Sequence, residues 1–287
     1  MLSTPLLRSL LPAIFCLLAI APFTQAKPHV VLVSGTLHYS PELTLPAFAE
    51  ELERFGFNTT VIIGREDPEK QTTNVLPGIE ALDDADTAIF LMRFLKLPDA
   101  EWAPIERYLK AGKPVIGLRT TTHSFKYAKD HPRFEWNDGF GRRAMGTPYV
   151  VHQQGATEIS VIEKRRQHPI LANVSKSNWT SQGTLYLTRL EPGCIPLVIG
   201  TGQGRMRLLE RDIGPVQVNT SEADIVAWAW ENEWGGRVFG TSFGDPTDFG
   251  EESFTRMLLN SVFWSLDMPV PSAEEKVSTW KIQRADK

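Results

Sequence analysis

The sequence predicts an α/β chain of the doubly wound kind: a mainly parallel sheet, added antiparallel strands at an edge, and helices on both faces. Three observations carry this. β-Branched runs alternate with amphipathic helical stretches through the first half of the chain. The runs are apolar at nearly every position, as strands covered on both faces are. Strand, helix, strand units of this length cross over in a right-handed sense within a parallel sheet.

The first run, His29-Val30-Val31-Leu32-Val33-Ser34-Gly35, is a strand ending at glycine. A helix follows over 43–55, with Leu45, Phe48, Ala49, Leu52 and Phe55 on one face and Gly56 as its stop. Strands are predicted at 58–63 and 87–92, and a second helix at 99–111 points Trp102, Ile105, Tyr108 and Leu109 inward before Gly112. The fourth strand is 114–118. Residues 133–154 contain Gly139, Gly141, Gly146 and Pro148 and read as an irregular functional loop. Further strands are expected at 157–162, 184–190, 195–200, 225–231 and 236–241, with antiparallel edges among them, and a last helix at 251–266. No repeat and no second core is legible, so 27–268 reads as one domain and 269–287 as a mobile charged tail.

Residues 1–26 read as a secretory signal rather than as part of that domain. Arg8 precedes an apolar run from Leu10 to Phe23, and Thr24-Gln25-Ala26 suits signal peptidase. As a helix the run would reach only about 21 Å, against a hydrocarbon core of about 30 Å. Cleavage makes the protein periplasmic or secreted, with no membrane attachment afterwards. It also removes Cys16, leaving Cys194 as a lone thiol that the flanking apolar residues assign to packing. Of 30 Lys and Arg against 34 Asp and Glu, only Arg8 is lost with the signal, and a mildly acidic chain without a basic run argues against nucleic acid.

In an open sheet of this kind ligands bind beyond the carboxyl ends of the strands, so the loops starting at Gly35, Arg93 and Arg119 come forward. They carry His38 and Tyr39, Arg93, and Arg119 with His123. His38 and His123 are the candidate acid and base, since a neutral imidazole can hold or give up a proton; hydrogen-bonded structural histidines are the alternative. Arg119 and Arg93 are candidate ligand-binding donors for a carboxylate, a phosphate or vicinal sugar oxygens, with an internal ion pair as the other reading. His152 and Tyr39 complete the binding set, and Tyr39, Trp136 and Tyr149 lie on the same candidate rim, with a core position as the equal alternative for each aromatic. Three histidines from separate loops could hold zinc, but their spacing does not demand it, and no metal or other cofactor is expected. His131 reads as solvent-facing, and His168, Asp245 and Asp248 read as structural, the aspartates as caps of a helix start.

Several segments in order are similar to the ThuA-like, or trehalose-utilisation, family of the class I glutamine amidotransferase-like superfamily. They are Asn74-Val75-Leu76-Pro77-Gly78-Ile79-Glu80-Ala81-Leu82, Lys113-Pro114-Val115-Ile116-Gly117-Leu118-Arg119-Thr120, His123-Ser124-Phe125, His168-Pro169-Ile170-Leu171, and Gly235-Gly236-Arg237-Val238-Phe239 through Asp248-Phe249. The resemblance implies a flavodoxin-like sheet and a role in carbohydrate metabolism beside sugar dehydrogenases. Many members carry Gly-His-His-Gly where this chain has Val151-His152-Gln153-Gln154-Gly155, so only His152 carries over. Superfamily amidotransferases place a cysteine on the sharp turn after the fourth strand, and here that position is Arg119. A guanidinium stays protonated and cannot be a nucleophile, so glutaminase chemistry is not expected.

The resulting expectation is an exported protein acting on a sugar or keto-sugar by acid-base chemistry, as a hydrolase, lyase or isomerase. A carbohydrate-binding module without turnover, or a partner of a sugar dehydrogenase, is the rival. The signal reading makes a direct prediction: intact mass of the exported protein will place its first residue at Lys27, and retention of Met1 or a lipid on Cys16 would refute it.

Overall fold

A computed structural model describes residues 26–67, 72–202 and 223–283. The predicted signal therefore lies outside the described residues. In chain order the elements are β1 (His29–Gly35), α1 (Pro41–Arg54), β2 (Asn58–Ile63), β3 (Arg65–Asp67), β4 (Thr72–Val75), β5 (Thr87–Met92), α2 (Asp99–Lys110), β6 (Val115–Leu118), α3 (Trp136–Gly139), β7 (Thr157–Val161), β8 (Trp179–Ser181), β9 (Ile195–Gly202), β10 (Ala223–Glu231), β11 (Arg237–Thr241) and α4 (Glu252–Ser265). One sheet of nine strands runs β2-β1-β5-β6-β11-β10-β9-β7-β8, and β3 and β4 form a separate ribbon.

From β2 to β11 every pairing is parallel. From β11 to β8 every pairing is antiparallel. The described helices therefore cover the parallel half most fully. Strand β1 shows why its residues can all be apolar: Val30 and Leu32 face the core under α1 and α4, whereas Val31 and Val33 face the core under α2. Helix α1 buries Leu45, Phe48, Ala49 and Leu52 as predicted, and α2 buries Trp102, Ile105, Tyr108 and Leu109. Helix α2 also places Asp99 and Glu101 in its first turn and Arg107 and Lys110 in its last, each complementing the backbone dipole.

Two expectations are corrected. Residues 184–190 do not form a strand, because β9 pairs directly with β7 and leaves no edge there; the segment makes a lone bridge, Tyr186 with His152. The strand in this region is β8. Residues 133–154 are not irregular throughout, since they hold α3 and a wide helical turn at Phe140–Met145 packed so closely on β6 that a Cβ on Gly117 would lie 2.0 Å from Met145 Cε. That packing carries Trp136 into the core beside Trp102, the second of the two places open to it.

The segment read as a mobile tail is laid back along α1 and α4 as far as residue 283. Arg256 donates to the carbonyls of Ser272 and Glu275, and Trp280 donates its backbone N–H to Phe249. Glu51, nearly buried, accepts from the backbone and hydroxyl of Ser278, and Arg54 donates both to Glu51 and to the Lys276 carbonyl. Burial alone would raise the Glu51 pKa, but the hydrogen bonds from Arg54 and Ser278 outweigh it and hold the carboxyl below its usual range. A depressed carboxyl stabilises the fold above its unfolded pKa and loses that effect as pH falls through the folded value. Acidification below the ordinary carboxylate range is therefore expected to free the tail. At neutral pH, Glu51→Gln will speed tryptic cleavage after Lys276 by roughly tenfold, the worth of a lost charged hydrogen bond; equal cleavage rates would refute the clasp.

Candidate functional site

The carboxyl ends of β1, β5, β6 and β11 open onto one edge, and the turns that leave them are tightly built. After β6, Thr121 donates its hydroxyl to the carbonyls of Phe90 and Leu118, and Ser124 donates to the Thr121 carbonyl. Backbone N–H groups of Phe94 and Leu95 then bond the carbonyls of His123 and Ser124, locking the turn after β5 to the turn after β6. Residues in the left-handed region gather here. Tyr39 (φ 73°), Ser40 (46°), Phe94 (53°) and Arg119 (46°) all lie on these turns, and the other two such non-glycine residues described are Asn173 and Asp267. Asparagine and aspartate tolerate this conformation, whereas each of the four costs about 1–3 kcal/mol, a load typical of functional sites.

Arg119 is the centre of the edge. It is 1% exposed. Its Nη1 donates to the Ser242 carbonyl (3.1 Å) and its Nη2 to the Thr184 hydroxyl (3.2 Å). Its guanidinium carbon lies 4.3 Å from the Tyr39 ring centre and 5.2 Å from that of Tyr186. Nε is buried and has no hydrogen-bond partner among the described residues. Burial would lower the Arg119 pKa, but the surroundings formed by Tyr186, Tyr39 and Asp245, with a hydrogen bond to Tyr39, outweigh it, and the guanidinium is held above its ordinary value. Gly183 is required at this approach, since a Cβ there would sit 2.5 Å from Nη1.

A two-legged strap covers the cluster. Gln153 donates its backbone N–H to Leu185, and Leu187 donates to Val151, so His152 and Tyr186 stand side by side with ring centres 5.5 Å apart. Tyr149 packs on His123 at 4.1 Å and on Tyr186 at 5.2 Å, and its hydroxyl is hydrogen-bonded to His152 Nδ1. Thr184, Tyr186 and Thr188 share one side of the strap: the first two meet Arg119, and the third bonds Asp224. Burial pushes the Tyr186 pKa far above the phenol range despite the opposing Arg119 charge, so Tyr186 is a neutral hydroxyl at physiological pH.

Behind Arg119, Asp248 accepts from the Ser181 hydroxyl (2.6 Å) and from the backbone N–H groups of Gly244 and Asp245. Burial pushes its pKa up to about 6, against the opposing pull of Ser181, Gly244 and the Arg119 charge. Asp245 caps the following turn, as expected for this pair. These two acids thus supply negative charge to Arg119 from below.

Of the predicted set, the structure brings together Tyr39, Arg119, His123 and His152. His38 is exposed beside Tyr39, with ring centres 6.1 Å apart, and Arg93 stacks its guanidinium on Phe94, whose ring neighbours His123. Both therefore sit on the rim. Tyr186 and Thr184 were not anticipated, because the alternation Thr184-Leu185-Tyr186-Leu187-Thr188 was taken for a sheet strand; the same alternation, with a polar and aromatic face, was the available signal. His131 and His168 accept local backbone N–H groups, a structural role. Among the described residues no group of three His, Cys, Asp or Glu could hold a metal. Cys194 precedes β9 at the level of Gly146, apart from the cluster, and burial pushes its thiol up to about 12.

The strained turn offers a test. Ser40 makes no side-chain cap for α1. Ser40→Gly will therefore relieve left-handed strain and stabilise the fold by about 0.5–1 kcal/mol net of glycine's extra unfolded freedom, raising Tm by about 1–4 °C. A melting temperature that stays or falls would show the turn is unstrained.

No protein-family model matches the sequence, and no curated protein matches it. Solved structures do. A protein described as ThuA-like from Bacteroides uniformis ATCC 8492 superposes with a TM-score of 0.57 at 14% identity, covering 86% of this chain and 94% of its own. A second, from Parabacteroides merdae ATCC 43184, gives a TM-score of 0.58 at 11% identity over 90% and 98%. At such identities the likeness speaks for architecture, and its conclusion is that this chain has the fold of the ThuA-like proteins: an open, flavodoxin-like α/β sheet with an antiparallel extension.

Proposed function

We propose that the protein is an exported member of the ThuA-like group that receives a sugar or keto-sugar at the carboxyl edge of its sheet and moves a proton on it. The observation that carries this reading is the convergence of Tyr39, Tyr149, Tyr186, His123 and His152 around the buried cation of Arg119. Tyrosine faces stack on sugar C–H surfaces, and phenol and imidazole groups hydrogen-bond hydroxyls. The pair formed by Tyr149 and His152 can pass a proton between a ligand oxygen and the imidazole, and His123 lies against the same tyrosine. This moves the acid-base role from His38 and His123 towards His152 and His123, because His38 stands outside the cluster.

Glutaminase activity is no part of the proposal. Arg119, with left-handed backbone, stands on the turn after β6 where the superfamily resemblance puts a cysteine, and the lone described thiol is elsewhere, pushed up to about 12 by burial. Near-complete burial of Arg119 and His123 also leaves room for the second reading, a carbohydrate-binding module without turnover.

Calorimetry and turnover assays of the mature protein on a panel of sugars and keto-sugars test both readings. Tyr149→Phe and His152→Ala are expected to lower turnover by about a hundredfold while changing affinity less, the usual scale for a positioned acid or base. Cys194→Ser should leave activity intact. Binding without turnover would select the module; glutamine hydrolysis, or loss of activity in Cys194→Ser with the fold preserved, would overturn the proposal.

A further inference from the structure

Resting on the reading that this cluster binds a carbohydrate, we infer that the ligand is a sugar acid, whose carboxylate meets the Nε edge of Arg119. The direct hydrogen-bond acceptors that Arg119 has are neutral, the Ser242 carbonyl, the Thr184 hydroxyl and the Tyr39 phenol, and its two flat neighbours are the rings of Tyr39 and Tyr186. Asp248 does not supply the missing acceptor: its two oxygens are engaged by the Ser181 hydroxyl and by the backbone N–H groups of Gly244 and Asp245. The Nε–H is left buried and unmatched among the described residues. A buried donor on a charged group is costly to leave unmade, and a planar guanidinium edge is matched by a planar carboxylate.

The neighbours decide what the rest of such a ligand looks like. Tyr39, Tyr149 and Tyr186 belong to one cluster with His123 and His152; tyrosine rings suit the C–H face of a pyranose, and imidazoles suit its hydroxyls. Of the two rings on Arg119, Tyr186 is buried and Tyr39 only half-buried, so the way to the guanidinium passes Tyr39. Tyr39 and Ser40 both hold left-handed backbone, and movement of that turn would relieve it.

Titration calorimetry of the full exported protein with glucuronate, gluconate and glucose at low salt tests the inference. The acids are expected to bind at least about tenfold more tightly than glucose, and Arg119→Gln to abolish that preference, since a charged hydrogen bond is worth roughly ten- to a hundredfold in affinity. Should circular dichroism show Arg119→Gln unfolded, Arg119→Lys retains the charge without the planar edge and should lose about tenfold in acid affinity. Equal binding of glucose and glucuronate would overturn the charge assignment while leaving the carbohydrate site intact. An acid preference that survives in the folded Arg119 variant would overturn the role of Arg119, and binding of none of the three would overturn both this inference and the reading beneath it.

Discussion

A full positive charge held out of water at Arg119 is the constraint around which this edge of the molecule is organised. Removing an ion from water costs several kcal/mol even after relaxation. Cation–π contacts return about 0.5–2 kcal/mol each, so the rings of Tyr39 and Tyr186 cannot offset burial by themselves. The remainder must come from the Ser242 carbonyl, the Thr184 hydroxyl and the field of Asp245 and Asp248 below. These partners come from three stretches of chain, at 39, 184–186 and 242–248. One charge thereby joins the turns after β1, β6 and β11 to the strap that carries Tyr186.

The strap is the second organising feature. It is fixed by Ser181 on Asp248, by Thr184 on Arg119, by the pairing with 151–153 and by Thr188 on Asp224. Its alternation puts the polar and aromatic residues on the cluster side and Leu185 in the core beneath α4. Burial of Leu185 and hydrogen bonding of Thr184 therefore act together to orient Tyr186. At the far side of the molecule the final segment is treated in a similar manner, with Glu51 and Arg256 bonding backbone groups of 272–278 and so extending the packed layer beyond α4.

Much of the architecture was legible because it rests on local pattern. The all-apolar β1, the faces of α1 and α2 and the glycine stops demand burial on both sides of a sheet whatever the rest of the chain does. The edge at which Arg119 and His123 would meet Tyr39 was legible too, because it follows from parallel topology. The place of Trp136 stayed open because an aromatic in a glycine-rich stretch looks the same whether it lines a rim or fills a core. The contacts of the tail were not legible because charge content says nothing of carbonyls that a buried arginine can reach.

By itself the sequence determined the doubly wound α/β class, the edge that holds the site, the absence of a cysteine at the turn after the fourth strand, and a permanent cation in its place. Those properties depend on residue type and short-range period, which the chain carries locally. Only the tertiary structure decided that Arg119 lies beneath two tyrosines rather than open to solvent, that His38 stands outside the cluster, and that Tyr149 pairs with His152. These depend on which segments from distant parts of the chain come within hydrogen-bond reach, and a run such as 184–188 has the same period as a sheet strand or as a strap until its neighbours are in place.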